Sequence, residues 1–257
     1  TNKSGAAAFV RALNQTKRLP KIEREALIEA RQSVAPDCEE KNDGLDDLAK
    51  LPAVSSKAGK AFKAYLSSAL AFYRGDFDQA TIGFSSIVKS KPKSAWLKEA
   101  SLYMIARSEL NRSQKDALGD YGWFDPKLSD QGAIANAERG FNLYLKKYPD
   151  GSFADSARGL KRRVFLLAGD GAKLSAEYAN AIGSSSNNSI PKLELIAEID
   201  DKLLPVLVRK NDASDSMLTA MVLLYRMRTE GYDYFVDGEL PQLTINDLEA
   251  TKGSFAD

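Results

Sequence analysis

The chain has 257 residues, and its 36 basic and 35 acidic side chains give a formal net charge of +1. Hydrophobic residues make up 44% of it, enough to bury a core without disulfides or metals. Because there is no basic excess, we expect no nucleic-acid partner and no membrane binding through overall charge.

Histidine is absent, and Cys38 is the only cysteine. Histidine is the commonest general acid or base and the commonest metal ligand near neutral pH, so Ser-His-Asp, Cys-His and histidine-metal sites are excluded. A single cysteine excludes an intrachain disulfide and a thiolate zinc site. Carboxylate or lysine chemistry stays open, but we expect a protein that is not an enzyme, with no cofactor and no metal.

Residues 1–58 predict an N-terminal helical cap that prolines interrupt. Apolar residues recur at helical spacing in 6–13 and 21–33. The acidic stretch 37–44 invites comparison with a calcium-binding loop. With Gly44 at the sixth position, lysines occupy two ligand positions, which defeats the pattern. We interpret this stretch as a solvated loop.

From residue 60 onward the periodicity predicts helix pairs, each closed by a proline. The first pair covers 60–73 and 77–89, with a glycine turn at Gly75 and a stop at Pro92. Two further pairs are predicted, at 96–111 with 134–148 and at 152–168 with 174–182.

The two clearest copies share a register. Three positions match when counted back from the closing proline: Ala80, Phe84 and Pro92 in one copy, and Ala137, Phe141 and Pro149 in the other. Equal offsets at small, aromatic and proline positions favour a stacked array over a generic bundle.

The string 75–80, together with Phe84, Ile87 and Pro92, resembles the second half of a tetratricopeptide repeat. The junction 148–157, Tyr-Pro followed by aromatic-Ala-x-x-Ala, is similar to one in tetratricopeptide proteins of bacterial envelopes, such as outer-membrane assembly lipoproteins. The resemblance covers about residues 60–170. It implies an all-α, tetratricopeptide-like helical-hairpin solenoid, or superhelix.

Three regions follow: the cap at 1–58, the repeats at 59–183 and a C-terminal helical region at 190–257, which a further domain could follow. In the last region helices are predicted at 192–209, where Pro205 should kink or end the helix, and at 214–229. The resemblance implies a periplasmic or outer-membrane-associated protein, with the cytoplasm as the alternative. The start without methionine leaves open a membrane tether through a removed N-terminal segment.

Aromatic and basic side chains are the candidates for contacting a partner. The first helices of stacked repeats line a concave groove, which in this register receives Phe62, Tyr65, Ala69, Phe72 and Tyr73 from the first repeat and Tyr103 and Arg107 from the second. Packing between neighbouring repeats is the alternative for each of them.

Two further elements extend this set. The insertion 113–129 carries aromatic anchors, namely Tyr121, Trp123 and Phe124, which could instead cap the local core. The basic cluster 158–163 contributes Arg162, which could instead belong to a solvated helical face.

The sequence therefore predicts a non-catalytic scaffold that binds a protein or peptide through its groove and insertion. The alternative is a helical accessory domain of a larger enzyme that acts on the cell wall. Further sequence with a catalytic motif beyond Asp257 would favour that alternative.

Overall fold

The computed structural model describes residues 2–33, 51–117, 125–183, 192–210, 216–229 and 244–250. Within these ranges every regular element is helical, so the prediction of an all-α fold is confirmed. Several features named above lie outside the described residues: Cys38, the loop 37–44, the segment 184–189 between the repeats and the C-terminal region, and the aromatic residues Tyr121, Trp123 and Phe124.

Apart from the helix at 245–250, which the sequence did not predict, the helices agree with the predicted ones to within a few residues at each end. In chain order they are α1 (Asn2–Gln15), α2 (Lys21–Ser33), α3 (Lys57–Tyr73), α4 (Phe77–Lys89), α5 (Ala95–Arg112), α6 (Gln131–Lys147), α7 (Ala154–Leu167), α8 (Gly171–Gly183), α9 (Lys192–Glu198), α10 (Leu204–Lys210), α11 (Ser216–Thr229) and α12 (Ile245–Ala250). A short 3₁₀ turn at Pro126–Leu128 precedes α6. The chain forms two compact units, Thr1–Arg158 and Gly159–Asp257.

The turns that follow α3 and α7 are built alike. Gly75 and Gly169 adopt left-handed backbone conformations with φ of 79° and 65°, which glycine reaches without the strain of a Cβ atom. In each turn the next residue caps the following helix. The carboxylates of Asp76 and Asp170 accept a hydrogen bond from the amide of that helix's third residue, at 3.2 and 3.0 Å. The predicted glycine turn at Gly75 is therefore confirmed, and Gly169 forms a second turn of the same kind.

The positions that match in sequence also match in packing. Ala80 and Phe84 of α4 are fully buried, and so are Ala137 and Phe141 of α6. The small alanine lets the paired helix approach, while the phenylalanine fills the space beside it. Equal sequence offsets therefore correspond to equal environments in the two helix pairs.

Close helix approach also depends on two glycines that sequence analysis did not single out. A Cβ atom at Gly83 of α4 would overlap the Ser68 hydroxyl of α3. One at Gly140 of α6 would lie 2.7 Å from the Ala106 Cβ of α5. Both glycines precede their closing proline by the same interval, so they form a further matched position.

The helix predicted at 192–209 does not end at Pro205. Instead α9 passes into a π-helical segment, Ile199–Leu203, which leads into α10. The Leu204 amide bonds to the Ile199 carbonyl, five residues back. Because proline lacks an amide hydrogen and crowds the preceding turn, this wider turn lets the run continue to Lys210.

Glu23 of α2 anchors the start of α3. Its carboxylate accepts hydrogen bonds from the backbone amides and hydroxyls of Ser55 and Ser56, at 2.5 to 3.0 Å. The Ser56 hydroxyl, and then the two amides, lower the pKa of Glu23 to about 2. The ionised carboxylate therefore stabilises the junction between α2 and α3.

We expect Glu23→Gln to reduce stability at neutral pH and to flatten its acid dependence. The folded pKa of about 2 lies below the ordinary value of 4.5, so the carboxylate contributes fully above pH 4.5. Its contribution is lost as the pH falls through 2. Urea unfolding at several pH values measures this, with exposed Glu29→Gln as the control. Parallel stability curves for Glu23→Gln and the original chain would contradict the assignment.

Candidate functional site

The predicted groove residues at the ends of α3 and α5 lie together. The Arg107 guanidinium lies 5.2 Å from the centre of the Phe72 ring, and Tyr73 packs edge-on against that ring at 5.6 Å. Phe72 is 7% exposed, whereas Tyr73 and Arg107 are half-buried. Phe72 therefore serves core packing, and its two neighbours keep part of their surface in solvent.

Tyr65 lies in an aromatic cluster on the same helix. Its ring is 5.0 to 6.0 Å from the rings of Phe9, Phe84 and Trp96. Burial raises the pKa of the Tyr65 hydroxyl, which therefore stays protonated. These contacts join α1, α3, α4 and α5, so the ring contributes to packing between them.

Tyr103 is an interior residue of the first unit. Its side chain is 4% exposed and stacks on Phe153 at 4.7 Å with a 10° interplanar angle. Its hydroxyl lies 2.8 Å from the Ser156 hydroxyl. The contacts of Tyr103 and Phe72 match the packing alternative, and a role in partner binding for this group of residues stays a prediction.

The basic cluster 158–163 is largely paired with carboxylates of the chain itself. Three of its cations form these ion pairs: Arg158 with Asp155 at 3.1 Å, Lys161 with Glu177 at 2.7 Å, and Arg162 with Glu198 at 3.3 Å. Arg162 is 8% exposed. Burial by itself would raise the pKa of Glu198, but the charges and hydrogen bonds of Arg162 and Lys202 together outweigh it and lower that pKa. The cluster therefore offers a partner little unpaired charge.

A groove with different chemistry lies within the first unit. It has a volume of about 510 Å³, and its walls are the turn after α1, the first turns of α3, the last turn of α4 and the turn into α5. Phe62 and Ile87 contribute to its floor and are 0% and 3% exposed. Pro92 and alanines of α3 complete an apolar lining, which suits burial of a ligand's apolar group.

Positive side chains surround this floor. Six of the lining residues are basic and none is acidic: Lys17, Arg18, Lys57, Lys60, Lys91 and Lys93. All six are exposed, and none pairs with a carboxylate of the described residues. We call this site the basic groove. Since charges balance over the whole chain, the groove is a local concentration of positive charge.

Two of these cations sit on strained backbone. Arg18 and Lys91 have φ of 61° and 49°, and they are the non-glycine residues with positive φ among those described. Such a conformation costs about 1 kcal/mol or more, and glycine would avoid that cost. Glycine would also remove the charge from the rim, so both positions retain a cation at the expense of local strain.

The serine and threonine hydroxyls of the lining are mostly used within the chain. The Ser56 hydroxyl donates to Glu23, Thr16 donates to the Ala12 carbonyl, and Ser90 donates to the Ile87 carbonyl. The amide of Leu97 donates to Ser94. The cations are therefore the principal groups that the groove offers to a polar ligand.

Other kinds of site receive no support from the described residues. Among them, no three His, Cys, Asp or Glu side chains are grouped to hold a metal ion, and none of their helices is long and apolar enough to cross a membrane. Comparison of the chain with protein-family models, curated proteins and solved structures gives no match. The residues of the basic groove therefore carry the functional inference.

Proposed function

We propose that this chain is a non-catalytic scaffold that binds a segment of a partner protein in the basic groove. The observation that carries the proposal is one concave site that combines an apolar floor with six cations, none of which pairs with a carboxylate of the described residues. The floor buries apolar partner side chains, and the rim fixes their orientation through charge. Binding of this kind needs no proton transfer and no covalent step.

The proposal includes a tetratricopeptide-like solenoid in the repeat region. It is supported by the matched packing of α4 and α6, by the two glycine turns, and by the equivalent close approaches at Gly83 and Gly140. A location in the periplasm or at the outer membrane belongs to the same proposal. That location rests on the junction 148–157, and the cytoplasm remains its alternative.

Site-specific photo-crosslinking in the native cell tests the scaffold role. We expect a photoreactive phenylalanine at Ser86, an exposed residue of the groove wall, to give one discrete protein adduct. The same probe at Asn142, an exposed residue of α6, should give none. The captured protein is identified by mass spectrometry and must bind again when both proteins are purified.

Probes at Tyr73 and Trp123 extend the test to the residues predicted from sequence. An adduct at either position without one at Ser86 would keep the scaffold role and move the binding site to the aromatic residues. If all three positions give no adduct, the scaffold proposal is wrong.

A further inference from the structure

Resting on the proposed scaffold role, we infer that the basic groove recognises an acidic, extended peptide segment. The segment carries several carboxylates on either side of an apolar side chain. Its apolar group lies on the floor beside Phe62 and Ile87, and its carboxylates pair with the surrounding cations. This identifies the chemistry of the partner, whereas the scaffold role alone does not.

The distribution of the cations requires a ligand with more than one negative charge. They come from three segments of the chain: Lys17 and Arg18 after α1, Lys57 and Lys60 in α3, and Lys91 and Lys93 between α4 and α5. A single carboxylate or phosphate would meet only part of this set. A peptide with spaced acidic residues can contact all three segments while its backbone crosses the floor.

Charge repulsion within the groove points the same way. Like charges around one concavity repel each other, and physiological salt screens such repulsion only beyond about 8 Å. In the cluster 158–163 the chain neutralises its cations with its own carboxylates. No carboxylate of the described residues does this in the groove, so in this inference the ligand supplies the negative charge.

The start of α3 does not by itself account for an anion site. Next to the groove, the Glu23 carboxylate already accepts hydrogen bonds from the backbone amides of Ser55 and Ser56. The helix dipole is therefore complemented within the chain. The side-chain cations, rather than the end of the helix, provide the recognition.

The shape of the site favours a peptide over a membrane or a nucleic acid. Its apolar residues form the floor of a concavity, and Phe62 is fully buried, so they cannot insert into a bilayer. Phe62 is also the one aromatic residue of the lining, and its burial leaves no exposed ring for base stacking.

Fluorescence anisotropy with defined peptides tests the inference on the full chain. The probe is a short peptide in which glutamates flank one leucine and one phenylalanine, and the matched peptide has glutamine at every glutamate. We expect the acidic peptide to bind at least about tenfold more tightly, and to weaken as salt rises from about 50 to 200 mM. Equal binding of the two peptides would overturn the acidic inference and leave the scaffold role standing.

Charge-reversed variants locate the binding site. The triple variant Lys60→Glu, Lys91→Glu and Lys93→Glu should lose binding of the acidic peptide. The control, Lys115→Glu, Lys127→Glu and Lys146→Glu, changes the net charge equally at exposed residues outside the groove and should retain it. Circular dichroism melting verifies that both variants are folded. An equal loss in the two variants would overturn the assignment to the groove.

Vesicles and crosslinking separate the remaining outcomes. Phosphatidylglycerol vesicles could bind the original chain but not the triple groove variant, while the acidic peptide binds neither. In that case the groove recognises a membrane surface and the inference is wrong. If neither probe binds and no crosslinked adduct forms at Ser86, Tyr73 or Trp123, the scaffold role fails together with it.

Discussion

Replacing Gly140 by alanine should lower the free energy of unfolding by about 2 kcal/mol, although alanine is the better helix former. The new Cβ would lie 2.7 Å from the Ala106 Cβ and 3.0 Å from its Cα. The second atom belongs to the backbone of α5, so the clash cannot be relieved by rotating a side chain. Relief requires α5 and α6 to separate along their contact, which loses packing over the whole crossing.

The control for this prediction is Gly5→Ala in α1, where the nearest atom lies 3.8 Å from the added Cβ. That variant should be no less stable than the original chain. A urea titration monitored by tryptophan fluorescence measures the free energy of unfolding of both variants. Adding Ala106→Gly to Gly140→Ala removes the overlapping Cβ and should recover part of the lost stability. A Gly140→Ala chain as stable as Gly5→Ala would show that α5 and α6 do not cross at this glycine.

The signal for these close approaches was present in the sequence. Glycine inside a helix costs about 1 kcal/mol relative to alanine, so a glycine retained in a helix interior needs a reason. Gly83 and Gly140 stand at the same distance from their closing prolines. Each glycine directly precedes the matched phenylalanine of its helix, Phe84 or Phe141. The register that matches the two phenylalanines therefore also predicts the two helix crossings.

Helix positions were predictable because local periodicity and turn residues determine them. The sequence did not predict which apolar residues pack against another helix, because that depends on the neighbouring elements. Phe72 and Tyr103 carry the periodicity expected of groove residues, yet Arg107 covers one and Phe153 covers the other. An aromatic stripe therefore identifies a buried face better than it identifies a binding face.

The basic groove was missed for a related reason. The cations at 158–163 adjoin one another in sequence, and carboxylates of their own helix and of α8 and α9 pair with them. The groove cations are scattered over 17–18, 57–60 and 91–93, and only the packing of α1, α3 and α4 gathers them. Unpaired charge is a property of the tertiary structure, so proximity along the chain is a poor guide to it.

Tyr144→Phe should lower the free energy of unfolding by about 2 kcal/mol, although it removes a single oxygen atom. The Tyr144 side chain is fully buried, and its hydroxyl donates to Glu99 at 2.8 Å while accepting the Phe153 amide at 3.0 Å. Burial and then the bond to Glu99 raise the pKa of the hydroxyl, which keeps the donor protonated. Phenylalanine leaves both the carboxylate and the amide without this partner.

The control for Tyr144→Phe is Tyr148→Phe, four residues later at the C-terminal end of α6. Tyr148 is half-buried, and its hydroxyl has no hydrogen bond to the described residues, so its loss should change stability by less than about 0.5 kcal/mol. Hydrogen exchange supplies a local readout, because the Phe153 amide should exchange faster in Tyr144→Phe alone. Equal stability losses in both variants would mean that ring packing, rather than the hydrogen-bond chain from Phe153 through Tyr144 to Glu99, joins α5 to α6 and the start of α7.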